Sequence, residues 1–202
     1  DAAAKRTDAK TELLEAAKSV LLENGFGGLS TRAVAAEAGT QMSQIRYHFG
    51  SKEGMVLALF EYMNSALIER QSATFMRSDL KVSEKWARSC DYLDEDLGSG
   101  YVRVLQELIA IGWSNPAVGN AVRSALSLWY DLIRKVTAEI RAELGTLGPF
   151  DDREVAALVS AAFIGAEALI LIGLENDGQP FCAALRRVGD LIAAAEAGTR
   201  ET

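Results

Sequence analysis

Gln41, Met42, Ser43, Gln44, Arg46, Tyr47 and His48 gather, within eight residues, the side chains that read base edges or grip phosphates. A glutamine amide can pair with adenine, a guanidinium can hold guanine O6 and N7, and Ser43 or Met42 can meet a thymine methyl. Material for catalysis is scarce by comparison. His48 is the one histidine of 202 residues, and the chain has no GxGxxG, GxxxxGK[ST], HExxH or GxSxG. Glu107 and Glu167 sit in apolar stretches, where a carboxylate more often meets a core polar partner or a ligand than transfers protons. Cys90 and Cys182 form no CxxC and stand in a chain without a secretory signal, which fits reduced intracellular thiols and a cytoplasmic protein. No enzyme activity, metal or cofactor is expected.

Two short helices must hold the reading side chains in place. Ser30 is suited to cap the first, whose stripe of Val34, Ala35 and Ala38 ends at Gly39, a residue that turns without a Cβ penalty. Ile45 and Phe49 lie four apart on the second, so they pack back on that stripe and leave residues 41–44 and 46–48 on the other faces. This is the helix-turn-helix pattern, whose second helix enters the DNA major groove. Arg32, on the first helix, can reach the same groove. A preceding helix over residues 7–24 carries Leu13, Ala17, Val20 and Leu21 at helical spacing and stops at Asn24-Gly25, after which Phe26 and Leu29 close a small core. Lys5, Arg6 and Lys10 form either a solvated tail or a DNA-binding arm.

Thr31, Val34, Ala35, Ala38, Gly39, Ile45, Tyr47, His48, Phe49, Gly50, Ser51 and Lys52 fall in the order of the DNA-binding domain of the TetR family of repressors, which residues 11–59 resemble. Thr40 and Arg46 depart from the usual pattern, in which an apolar residue and a tyrosine are frequent. The resemblance implies a sequence-specific DNA-binding regulator with Thr31, Tyr47, His48 and Lys52 at backbone-anchoring positions, although Tyr47 could equally serve local packing. It also implies that the last two helices pair with those of a second subunit in a four-helix interface. Symmetric dimers are in any case the commonest oligomers.

An acidic balance of −7 looks unsuited to a polyanion until it is divided along the chain. Residues 1–54 hold seven Lys/Arg and seven Asp/Glu, so the whole excess lies downstream, in a part that need not touch DNA. With 49% apolar residues, 3 prolines and an abundance of Ala, Leu and Glu, the chain reads as all-α. The expected division is a three-helix DNA-binding domain over 1–53 and a helical ligand-binding and dimerisation bundle over 54–202. The chain starts at Asp1 rather than methionine, so part of a native N-terminus is expected to lie outside it.

In the second part, Ser51 caps a long helix over 51–76 bearing Met55, Leu59, Tyr62, Met63 and Leu67, the expected mechanical link between the halves. Helices over 82–97, 101–113 and from Asn115-Pro116 to Leu144 follow. They bring Trp86, Cys90, Leu105, Ile109, Trp113, Trp129 and Tyr130 into consecutive helices. Ordinary core is one reading of that cluster; with Met63 and Phe163, a site for a mostly apolar small-molecule effector is the other. Residues 155–174 are apolar enough to span a bilayer, but Glu167 at their centre and acidic flanks argue against a membrane and for a helix buried on all sides. Pro180 opens a last helix with Phe181, Leu185, Val188 and Leu191. The function expected from these features is a repressor that leaves its double-stranded operator when a ligand binds; the alternative is a helical small-molecule-binding protein or enzyme whose helix-turn-helix does not regulate transcription.

Overall fold

The computed structural model describes residues Ala2–Gly198, and side chains from Ala9 onward except that of Leu144; the side chains of Lys5 and Arg6 lie outside this description. The described residues form the helices α1 (Ala2–Gly28), α2 (Thr31–Glu37), α3 (Met42–Phe49), α4 (Lys52–Phe75), α5 (Val82–Gly98), α6 (Tyr101–Gly112), α7 (Pro116–Leu144), α8 (Asp152–Leu171) and α9 (Phe181–Gly198). No strand occurs among them, and the all-α expectation holds. The stop anticipated at Asn24-Gly25 takes the form of a break within α1: Gly25 has φ 68 and ψ −179, after which one more turn runs to Gly28.

The chain divides into two compact units. The first comprises residues 1–66 and 99–122, the second 67–98 and 123–202. This geometric division differs from the expected functional boundary at residue 53, because α6 and the start of α7 fall with the helix-turn-helix.

In the first unit α2 packs on both α1 and α3, and Leu13, Ala17, Leu21, Leu29, Val34, Ala35 and Ile45 are buried there. Each large aliphatic side chain so removed from water contributes about 1.5–3 kcal/mol. Ser19 Oγ donates to Glu37 at 2.8 Å and ties α1 to α2. Residues of α4 and α6 fill the rest: Phe60 stacks on Tyr101 with centroids 5.8 Å apart, and the Tyr101 hydroxyl donates to Asn64 Oδ1 at 2.8 Å.

The second unit packs around aromatic residues. Phe75, Tyr92, Leu132, Ile133 and Ala156 form one buried cluster; Cys90, Leu93, Phe163, Ala166 and Leu185 form another. Trp129 packs against both, and its indole N–H donates to Gln71 Oε1 at 2.8 Å. Trp86 packs edge-on to Phe163 at 5.6 Å and donates to the Leu185 carbonyl at 2.6 Å. Burial pushes the Cys90 thiol up to about 11.

The expectation that the apolar helix is buried on all sides is overturned. In α8 only Ala156, Phe163 and Ala166 are buried, whereas Leu158 is 57% exposed and Ala157, Ala161 and Ala162 also face outward. The reason is geometric: α8 packs on α5, α7 and α9 with the side that carries Ala156, Phe163 and Ala166, and the side that carries Ala157, Leu158, Ala161 and Ala162 is left exposed. By length and composition α8 could cross a membrane, but it begins in a charged capping box: Asp151 accepts from the Arg153 and Glu154 amides, and Glu154 accepts from the Asp151 amide.

Candidate nucleic-acid interface and body cavity

The position of α3 is set by the turn before it. Ser30 Oγ accepts from the Ala33 amide at 3.2 Å, the cap anticipated for α2. A four-residue turn, 38–41, then separates α2 from α3. Gly39 sits there at φ 62, where a side chain would be strained, while the Thr40 amide closes on the Ala35 carbonyl at 2.9 Å. Ile45 is wholly buried, so α3 can present only its opposite side.

That side is the one expected from sequence. Met42, Ser43, Gln44 and Arg46 are exposed, as is Arg32 on α2. Met42 is 53% and Tyr47 62% exposed, so Tyr47 is not consumed by core packing. His48 is half-buried and meets the Tyr47 ring edge-on at 5.1 Å and Phe49 at 6.2 Å. Thr31 is half-buried at the first turn of α2, and Lys52 is exposed in the first turn of α4. All nine residues thus lie in the first unit, on α2, α3 or the start of α4. A polar groove beside α3 is lined by Glu12, Thr40, Gln44 and His48.

Two residues outside these nine bear on α3: Gln41, named above with its neighbours, and Gly54, which is not. Gln41 is the N-cap of α3 but makes no side-chain cap bond and is exposed, leaving its amide available beside Met42. Gly54 holds α3 against α4: a Cβ there would meet the Phe49 carbonyl oxygen at 2.1 Å. Its signal in the sequence is a glycine in the first turn of a helix, where propensity argues against it. Ser51 caps that helix as expected, accepting from the Gly54 amide at 3.0 Å.

The residues anticipated around an effector are divided between the two units. Met63 and Leu105 are buried in the first unit, Ile109 is half-buried there, and Trp113, at the C-terminus of α6, is 83% exposed. Trp86, Cys90, Trp129, Tyr130 and Phe163 do share the second unit. Of these Trp86 lines a cavity of about 220 Å³, while Cys90 and Phe163 are core and Tyr130 donates through its hydroxyl to the Arg153 carbonyl at 3.0 Å. The cavity wall is made mostly by Phe75, Val82, Ile133, Val136, Ile140 and Val159, with further aliphatic residues from α8 and α9 and the hydroxyl-bearing Ser89 and Thr137. Sequence reasoning missed this wall and the one charged side chain in it, Lys85. Among the described residues no group of three or more His, Cys, Asp or Glu could hold a metal.

Residues 13–59 match the family model described as bacterial regulatory proteins, tetR family. A search of curated proteins returns no match. Solved structures match over nearly the whole chain. A choline-bound protein assigned as a transcriptional regulator, from Saccharomonospora viridis, has a TM-score of 0.76 at 21% identity, covering 91% of this chain and 94% of its own. A TetR transcription regulator from Haloarcula marismortui has 0.76 at 16%, covering 94% and 98%. The transcriptional regulator FadR from Bacillus subtilis, in complex with stearoyl-CoA, has 0.71 at 17%, covering 92% and 98%. At these identities the likeness is one of fold.

Proposed function

We propose, taking residues 13–59 as the DNA-binding domain of a bacterial regulatory protein of the tetR family, that this chain is a sequence-specific transcriptional repressor which a small, mostly apolar ligand releases from its operator. The observation that carries the reading is the outward face of α3, where six consecutive or near-consecutive side chains able to contact DNA stand clear of a filled core. Gln44, Arg46, Ser43 and Met42 contact base edges, with Arg32 from α2. Thr31, Tyr47, His48 and Lys52 hold phosphates and set the register.

The protein acts as a cytoplasmic homodimer. The exposed apolar residues of α8 and α9, Leu158 at 57% and Leu191 at 72%, are what a second copy would cover in a four-helix interface. Two reading heads then meet half-sites about 34 Å apart on a pseudo-palindromic duplex. The cavity of the second unit receives the effector. Phe75 in its wall is the last residue of α4, whose first residue is Lys52, so a ligand that moves Phe75 bears on the helix leading to the phosphate contacts. A difference of about 1–3 kcal/mol in ligand affinity between the operator-bound and released arrangements is enough for a switch.

Sequencing duplexes selected from a random pool by the purified full chain tests the reading. A recovered inverted repeat with half-sites one helical turn apart supports it, and recovery of no enriched sequence contradicts it.

A further inference from the structure

Lys85 is 2% exposed and lines a cavity whose other walls are almost entirely aliphatic and aromatic. Its ammonium donates to Glu139 Oε2 at 2.5 Å. The two partners are unequal: the Lys85 side chain is 3% exposed and that of Glu139 41%. Glu139 is not part of the cavity wall, so it reaches the ammonium from the solvent side. Two hydroxyls also line the cavity, but their protons are already committed. Ser89 Oγ donates to the Lys85 carbonyl at 3.0 Å, and Thr137 Oγ1 to the carbonyls of Arg134 and Asp152 at 2.8 and 3.2 Å. The charge-bearing donors in the wall are those of Lys85.

A buried ammonium in such a wall is costly unless an anion meets it. Glu139 meets that need from the surface, and it can return to water at little cost because it is already partly there. We propose that the cavity takes a small amphipathic anion, an aliphatic or aromatic molecule with one carboxylate, whose carboxylate replaces Glu139 on Lys85 while its apolar part fills the space between Phe75, Trp86, Ile133 and Val159. This inference rests on the reading of the cavity as the effector site and names the class of effector. A cation would place a second positive charge beside Lys85 in an apolar enclosure, and a phosphate dianion would carry a charge that one lysine cannot balance. A neutral molecule would leave the choice of lysine over an apolar residue without use. At about 220 Å³ the cavity is smaller than the roughly 300–1,000 Å³ common for ligand pockets, which favours a short molecule. Since Glu139 lies on α7 and Lys85 on α5, the exchange also removes a tie between those two helices.

The test is isothermal titration of the full chain with hexanoate, octanoate and 4-phenylbutyrate, each beside its primary amide, with thermal unfolding as a check on every variant. At least one carboxylate is expected to bind about tenfold or more tightly than its amide. Lys85→Met should abolish that ratio while keeping amide binding. Glu139→Gln should raise carboxylate affinity several-fold and leave amide affinity unchanged, because it removes the competitor; a pair that is merely structural predicts no rise. Equal affinity of acid and amide in the unsubstituted protein, survival of the ratio in Lys85→Met, or no binding by any of the six probes overturns the proposal. If Lys85→Met does not fold, Glu139→Gln decides alone, and unchanged or weaker carboxylate binding overturns it. Carboxylate binding through Lys85 that leaves operator affinity untouched would instead overturn the effector reading and leave the ligand class standing.

Discussion

Around α3 the first unit is filled, with Leu21, Leu29, Val34 and Ile45 wholly removed from water, and its polar, hydrogen-bonding side chains stand outside; the second unit leaves a space of about 220 Å³ among its apolar side chains and turns Leu158, Ile172 and Leu191 outward. Around α3 the core closes within one chain, and the side chains turned outward are mostly polar. The body is unfinished on both its inner and outer apolar surfaces. Rigid packing suits a reader, whose side chains must keep their register to discriminate bases, while unfilled apolar space suits a part that accepts other molecules.

That contrast is broken most severely by placing a charge on the outer body surface. Leu158→Glu together with Leu191→Glu buries unpaired carboxylates in the proposed interface at several kcal/mol, so sedimentation should show monomers, operator affinity should collapse, and thermal unfolding should lose its dependence on protein concentration. An unaltered dimer would assign these residues to ordinary surface. In the head the corresponding insult is internal. Ile45→Ala should cost about 2–5 kcal/mol in denaturant unfolding, because the filled core around it cannot collapse into the void.

Outer positions of the head should alter DNA binding and not folding. Arg46→Ala is expected to cost about 1–3 kcal/mol of operator affinity and to relax one base position in a competition series. Lys52→Ala should weaken binding on all sequences alike and lower the salt slope by about one charge. An equal loss on every sequence for Arg46→Ala would reassign it to phosphate. The smallest effect belongs to the body's thiols: with burial holding the Cys90 thiol up at about 11, iodoacetamide at pH 8 should label the half-exposed Cys182 well ahead of Cys90. Rapid labelling of Cys90 would mean that the body opens.

The head was legible because its rules are local. Ser30, Gly39, Ile45 and Ser51 each act within a few residues, through a cap, a turn, a stripe and a second cap, and spacing alone decides them. Gly54 escaped because its role is a close approach to the Phe49 carbonyl, which spacing does not record. The body was legible as helices and much less as a site. The anticipated ligand set joined Met63, Leu105, Ile109 and Trp113 to Trp86 and Trp129, but the first four fall in the other compact unit, since an apolar stripe tells that a helix packs and not against which partner. Lys85 reads as a solvated charge by type, and only its position three residues after Val82 and seven before Tyr92 puts it on the buried stripe. The open face of α8 was missed for a related reason: uniform apolarity predicts burial but cannot say whether the covering surface belongs to the same chain.

The measurement that bears most directly on α3 as a reader of DNA is a fluorescence anisotropy titration of the full chain with a duplex it has selected and with a scrambled duplex of equal length, across a range of salt. The expected result is two chains per selected duplex, an affinity for it about 10³-fold or more above that for the scrambled one, and binding to both that falls linearly in log–log form as salt rises. Equal affinity for the two duplexes, or no binding to either at low salt, would contradict the assignment of α3 as a reader of DNA sequence.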